Sequence, residues 1–237
     1  MKKLPNAIIF DFGGTILKEE CFDAINGNRN LLKYCMNNTY NLNEYKITEE
    51  AQKIDSEIIP QLRNNNFEFS IIGFQNLLFH SLGLKFDLSP QDLEFKFWEH
   101  ATKYKPIEDI EELLHEIDKR NITIGILSNN SFSSNVIRME LYKHNLSQYF
   151  KFILSSCEYG IGKPSKRLFD IAVKKTGYKN EDIWYVGDTY YDDIYGSSNA
   201  GIFPIWFNNN NEKIENEVKC YKIKSMTELI SIIKNLT

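Results

Sequence analysis

The most constraining feature of this chain is a repeated grammar in which short unbroken apolar runs alternate with segments of helical period. Ala7-Ile8-Ile9-Phe10 runs into Asp11 and then Gly13-Gly14, the pattern of a buried strand that delivers an acidic residue to a tight turn. Beyond Pro106 the grammar recurs. Ile107, Ile110, Leu113, Leu114 and Ile117 share one helical face, and the run over 122–127 reads as a buried strand. Helices are then predicted over 131–143, 165–175 and 192–200, with strands over 150–154, 183–186 and 202–207, a polar loop at 208–211 and a closing helix over 226–233. Strands this short and this uniformly apolar, separated by helices, need cover on both faces. They imply an α/β fold with a doubly wound parallel sheet.

One stretch breaks the pattern. From residue 18 to 104 the periodicity is helical, most clearly over 47–62, 71–82 and 88–104, and Ser89-Pro90 supplies an N-cap followed by proline at the first helical position. The expected organisation is therefore a core built from residues 1–17 and 105–237, with 18–104 as a helical insertion. Segments at 16–20 and 103–106 would act as its hinge.

Composition narrows the partners. The 237 residues are 42% hydrophobic, enough to bury a substantial core, and 32 acidic against 28 basic side chains leave a net charge of −4. Without a basic patch there is no electrostatic footprint for nucleic acid or anionic lipid. No stretch approaches the length of a membrane span, and the apolar run after Met1-Lys2-Lys3 is too short for a secretion signal, so a cytoplasmic protein, monomeric or homodimeric, is expected. Cys21, Cys35, Cys157 and Cys220 lie far apart, and the histidines show no ligand spacing.

Ligands of open α/β sheets bind at the carboxyl ends of the strands. Here those ends carry Asp11, then Ser128-Asn129-Asn130, then Gly160-Ile161-Gly162-Lys163-Pro164, then Gly187-Asp188. A carboxylate can attack phosphorus and divide one difficult displacement into two easier ones, and Asp11 is placed to do so. A phosphate approaching carboxylates needs a divalent cation and fixed positive charge. Asp11 and Asp188 offer the oxygen ligands that Mg2+ favours. Lys163 supplies the cation, and Thr15, Ser128 and Asn129 are the candidate phosphate holders together with turn N–H groups. A P-loop is excluded, because Cys157 and Pro164 occupy positions where it requires Gly and Ser or Thr.

The same residues carry a resemblance. Asp11-Phe12-Gly13-Gly14-Thr15, Ser128 after a buried strand, Lys163-Pro164 before a helix, and Gly187-Asp188-Thr189-Tyr190-Tyr191-Asp192-Asp193 match, in order, the four motifs of the haloacid dehalogenase-like (HAD) hydrolase superfamily. The insertion resembles the α-helical cap of one of its subgroups, on a Rossmann-like core. The resemblance implies Asp11 as nucleophile and Mg2+ ligand, Ser128 as phosphate binder, Lys163 as neutralising cation, Asp188 as metal ligand, and Asp193 as a support for the metal that Asp192 could share. It implies a Mg2+-dependent phosphatase acting on a small phosphorylated metabolite.

One departure matters. Phosphatases of this superfamily usually carry a second Asp two residues after the nucleophile, to protonate the leaving oxygen and then activate water; here that residue is Gly13. Its carbonyl can still ligate Mg2+, but it has no proton to transfer. Glu19, Glu20, Tyr191 and Asp192 are the candidate replacements. The small residue also admits a phosphonatase-type C–P hydrolase, which would use a cap lysine such as Lys33, Lys46 or Lys53, and a catalytically impaired ligand-binding module. The metal-free dehalogenase branch fits less well, since Asp188 is retained.

Overall fold

The computed structural model describes residues 3–236. The chain begins with β1 (Ala7–Phe10) and leaves the core along β2 (Leu17–Phe22). It then forms α1 (Ala24–Leu32), β3 (Cys35–Asn38), α2 (Glu44–Arg63), α3 (Ile71–Ser81), β4 (Leu84–Phe86) and α4 (Pro90–Ala101), and returns along β5 (Thr102–Pro106). The rest alternates: α5 (Ile110–Asp118), β6 (Thr123–Ser128), α6 (Ser134–Lys143), β7 (Phe152–Ser155), α7 (Lys166–Thr176), β8 (Ile183–Gly187), a π-helical turn (Tyr190–Tyr195), α8 (Gly196–Asn199), β9 (Phe203–Phe207), β10 (Tyr221–Ile223) and α9 (Met226–Asn235).

Six strands form one parallel sheet in the order β10-β9-β8-β1-β6-β7. Successive residues of a strand face opposite sides, and the sheet's cores divide accordingly. Ile8, Phe10, Ile126 and Val186 pack with the apolar stripes of α5, α6 and α9, whereas Ala7, Ile9, Leu127 and Tyr185 pack against Leu168, Phe169 and Ala172 of α7. The doubly wound parallel core expected from the apolar runs is the observed one. β1 lies between β6 and β8, so the chain order reverses beside it and its carboxyl end opens onto a crevice.

The differences from the expected elements have physical causes. Residues 18–104 contain four helices but also two antiparallel ribbons, β2 with β5 and β3 with β4. The β2 residues after Leu17 are all exposed, so no apolar alternation marks them. They are held instead by cross-strand polar contacts: Glu20 pairs with Lys103 and Lys105 at 3.1 and 3.0 Å, and the Tyr104 hydroxyl donates to Glu19 at 2.9 Å. The expected hinge segments are therefore this ribbon, and the helix expected over 88–104 stops at Ala101. β10, three residues at the sheet edge, has too little apolar sequence to announce itself. The helix expected over 192–200 is a π-helical turn that runs into a short α-helix.

The cap sits directly on the core. Gly27 brings α1 close to α4, since a Cβ there would lie 2.7 Å from the Phe97 ring. Buried Glu94 of α4 accepts from the Ser133 N–H and hydroxyl at 2.6 and 2.8 Å, at the start of α6. The Trp98 indole donates to Glu140 of α6 at 2.8 Å. Farther along, the Glu68 N–H donates to the Gly160 carbonyl, the Gly162 N–H to Asn66 and the Ile71 N–H to Ser131. Two separate lines of contact thus seat the cap over the strand ends. Among the described residues no helix is long and apolar enough to cross a membrane.

Candidate active site

β1 ends in Asp11, whose N–H donates to the Val186 carbonyl at 2.8 Å. The turn after it is tight: Gly14 adopts φ +78°, and a Cβ there would lie 2.4 Å from the Asp188 carboxylate. Only glycine satisfies both conditions. Gly13 differs, because a Cβ added to it meets nothing within 4 Å.

Lys163 is brought to Asp11 by the loop before α7. The Asn129 side chain grips its backbone at two points, accepting from the Lys163 N–H at 2.6 Å and donating to its carbonyl at 3.1 Å. The ammonium is buried and donates at 2.6 Å to Oδ1 of Asp11 and of Asp193, and at 3.1 Å to the Tyr185 hydroxyl. Asp193, in the π-helical turn, also accepts from the Thr189 N–H at 2.9 Å. Asp188 follows β8, and its Oδ1 faces the Thr15 hydroxyl at 3.4 Å.

Carboxylate oxygens of Asp11, Asp188 and Asp193 lie within 4.8 Å of one another. Burial pushes the Asp188 carboxyl up to about 6, with the neighbouring Asp193 adding to the effect. Asp11 is likewise raised, by burial and by Asp193 and Asp188, against the pull of Lys163. Burial alone would favour the neutral amine of Lys163, but Asp11 and Asp193 outweigh it and hold the ammonium above the ordinary lysine range. Three carboxylates thus share one fixed cation, an excess of negative charge in a hard oxygen donor set. Such a set suits Mg2+. Asp193 already accepts from protein donors at both oxygens, so within this set Asp11 and Asp188 are the residues that could hold a cation directly, and Gly13 lines the same cleft as Asp11.

Asp11 and Lys163 open onto a cleft of about 700 Å³ between core and cap, lined also by Gly13, Ser128 and Asn129 and roofed by Asn66, Phe67 and Glu68, while Asp188 and Asp193 sit behind its wall. Of the residues singled out from the sequence, the structure gathers Asp11, Gly13, Ser128, Asn129 and Lys163 on this cleft. Thr15 is fully buried beneath it, turned towards Asp188. The Asn129 side chain serves the Lys163 backbone and Asp192, at 3.3 Å, so it positions the lysine. Of the possible proton carriers, Glu19, Tyr191 and Asp192 line the cleft, whereas Glu20 is tied to Lys103 and Lys105. Lys33, Lys46 and Lys53 do not line it. Lys33 bonds Asn30, and the other two pair with Glu49 and Glu50 on the exposed face of α2. The phosphonatase alternative therefore lacks its lysine.

Sequence reasoning missed Tyr185. Its hydroxyl sits under the cluster, 3.0 Å from both Asp193 Oδ1 and the Leu127 carbonyl. The signal was available: a tyrosine inside an otherwise apolar buried strand must find a partner for its hydroxyl.

Comparison with known proteins agrees with this geometry. The sequence model described as haloacid dehalogenase-like hydrolase matches residues 8–207. The chain is 26% identical over 229 residues to the pyrimidine 5'-nucleotidase YjjG of Escherichia coli, covering 95% of this chain and 96% of that one. Among solved structures, the 2-haloacid dehalogenase of Pseudomonas syringae superposes with a TM-score of 0.67 at 19% identity, covering all of both chains. The magnesium-bound HAD-hydrolase YfnB of Bacillus subtilis superposes with a TM-score of 0.60 at 20% identity, over 98% of this chain and 99% of that one.

Proposed function

Since the chain belongs to the haloacid dehalogenase-like hydrolases, we propose that it is a Mg2+-dependent phosphatase that cleaves a phosphate monoester of a small metabolite through an aspartyl-phosphate at Asp11. The convergence of Asp11, Lys163, Asp188 and Asp193 in one buried cluster carries this reading. The near full-length likeness to a pyrimidine 5'-nucleotidase makes nucleoside monophosphates the substrate class to try first.

Mg2+, when bound by Asp11 and Asp188, would neutralise carboxylate and phosphate charge together. The remaining work belongs to the chain. Lys163 holds Asp11 through Oδ1, fixing the carboxylate for in-line attack and keeping positive charge where phosphate oxygens gather charge. Ser128, at the end of β6, offers a buried hydroxyl to a phosphate oxygen. Attack by Asp11 forms the acyl-phosphate bond and breaks the ester bond, and the leaving alkoxide takes a proton. Water then cleaves the acyl phosphate, returning the carboxylate and releasing inorganic phosphate. Gly13 supplies no proton for either step. Glu19 is the cleft carboxylate outside the metal cluster on the strand leaving the turn, and it takes the proton-transfer role in this reading. Hydrolysis of an aryl phosphate with Mg2+ should be lost in Asp11→Asn and on chelation; activity retained in either case would sink the assignment.

A further inference from the structure

A second cavity, of about 680 Å³, lies inside the cap among α1, α2, α3 and α4. It is separate from the charged cluster but adjoins its cleft, since Phe22, Ser131 and Phe132 line both. Its walls are mostly apolar, and Phe74 and Phe97 add aromatic faces to Phe22 and Phe132. Phe97 and Phe132 stack nearly parallel, with an interplanar angle of 16°. One wall residue is out of keeping. Gln75 of α3 is 3% exposed, and neither its Oε1 nor its Nε2 has a hydrogen-bond partner. The nearby polar pair is already satisfied, Asn28 donating to Thr48 at 2.9 Å.

A buried amide with both groups unpaired is costly, and native structures seldom keep one without reason. A leucine would fill the same space without that cost. A carboxamide presents one donor and one acceptor side by side, the complement of a cis-amide edge, and Gln and Asn read base edges in this bidentate way. The aromatic walls suit the faces of a flat ring.

We propose that this cavity is the leaving-group subsite and that Gln75, whose buried carboxamide turns to face the void when a ligand enters, reads a lactam or imide edge on a planar ring carried by the substrate. The proposal deepens the phosphatase reading: the phosphate sits on the Asp11 cluster while the ring of the same molecule enters the cap past Phe22 and Phe132. Gln75 is a specificity residue and takes no part in the chemistry.

The test uses the full chain with three probes: uridine 5'-monophosphate, ribose 5-phosphate, which keeps the phosphate and sugar but lacks the ring, and uridine, which lacks the phosphate. Wild-type protein should prefer the nucleotide over ribose 5-phosphate in kcat/KM. In Gln75→Leu that preference should fall by about tenfold or more, mainly through KM, the scale of one lost hydrogen-bonded pair. Calorimetry should show uridine binding that Gln75→Leu weakens. The unliganded variant should melt above wild type, since it no longer buries an unpaired amide. An unchanged preference, uridine binding indifferent to the substitution, or a variant that melts lower would each overturn the proposal. If no phosphate ester is hydrolysed but uridine binding depends on Gln75, the phosphatase reading fails and the subsite stands. If both phosphates turn over equally and uridine does not bind, the subsite fails and the phosphatase reading stands.

Discussion

The two cavities meet at Phe22, Ser131 and Phe132, yet they treat buried polar groups in opposite ways. At the strand ends, Lys163 is satisfied by Asp11, Asp193 and Tyr185. Asp193 is held by a backbone N–H, and the Lys163 backbone is gripped by Asn129. In the cap, Gln75 is left without a partner in an apolar wall. The first arrangement is preorganised and indifferent to what carries the phosphate. The second is incomplete until something enters. Chemistry and selectivity are therefore expected to separate under mutation, with rim substitutions changing kcat for every phosphate ester and cap substitutions changing KM for some.

The largest expected effect tests whether the rim is complete. Glu19→Gln removes the proton carrier and should lower kcat on an alkyl phosphate by about 10²- to 10⁴-fold, the usual worth of general acid-base catalysis; a Cβ at Gly13 meets nothing within 4 Å, so adding Gly13→Asp fits and should recover most of that loss. An unchanged kcat in Glu19→Gln would show that another cleft group does this work. Next, Lys163→Met should lower kcat by roughly 10²- to 10³-fold on all substrates alike, as loss of one preorganised donor does. It should also cost about 3–5 kcal/mol of stability without Mg2+, because buried carboxylates lose their cation, as denaturant titration would show. A selective loss on one substrate would break the division between rim and cap.

Burial, with charge crowding added, predicts a pH dependence of stability at the rim. Asp188 is raised to about 6 and Asp11 is raised with it, whereas an unfolded aspartate titrates near about 3.9. Between those values the folded protein binds more protons than the unfolded chain, so the metal-free protein should lose stability as pH rises from about 4 to about 7. Mg2+ competes with those protons. Its stabilisation, read as a shift in melting temperature, should be larger at pH 7.5 than at pH 5.0, and a shift independent of pH would contradict metal binding at these carboxylates. The smallest effect belongs to Tyr185→Phe, which removes a buried hydroxyl from Lys163 and Asp193 and should cost about 1 kcal/mol while leaving selectivity between ring-bearing and ringless phosphates unchanged.

The same division governs what could be read in the sequence. Asp11, Ser128 and Asp188 stand at strand ends, where uniform apolar runs stop abruptly, and Lys163 in the loop that follows β7; the parallel core and its rim follow from that punctuation. β2 and β5 were not legible because their side chains are largely exposed and their order comes from contacts such as Glu20 with Lys103 and Lys105, which leave no periodic mark. Nothing in the sequence sets Glu94 and Trp98 apart from their neighbours in α4, and only tertiary contact reveals them as the cap's attachment to α6. Gln75 has no sequence signature either, since a glutamine on a helix is ordinarily solvated. Its meaning lies in the absence of a partner, which only the fold can show.

The most direct test of the central assignment is to trap the intermediate. A phosphate ester labelled in its phosphoryl group is mixed with the Mg2+-loaded protein, quenched in acid within the first turnover, and the labelled peptide identified. The expected result is label on the peptide containing Asp11, stable in acid and released by hydroxylamine, and none in Asp11→Asn. Label at another residue, or full turnover by Asp11→Asn, would contradict an aspartyl-phosphate at this position.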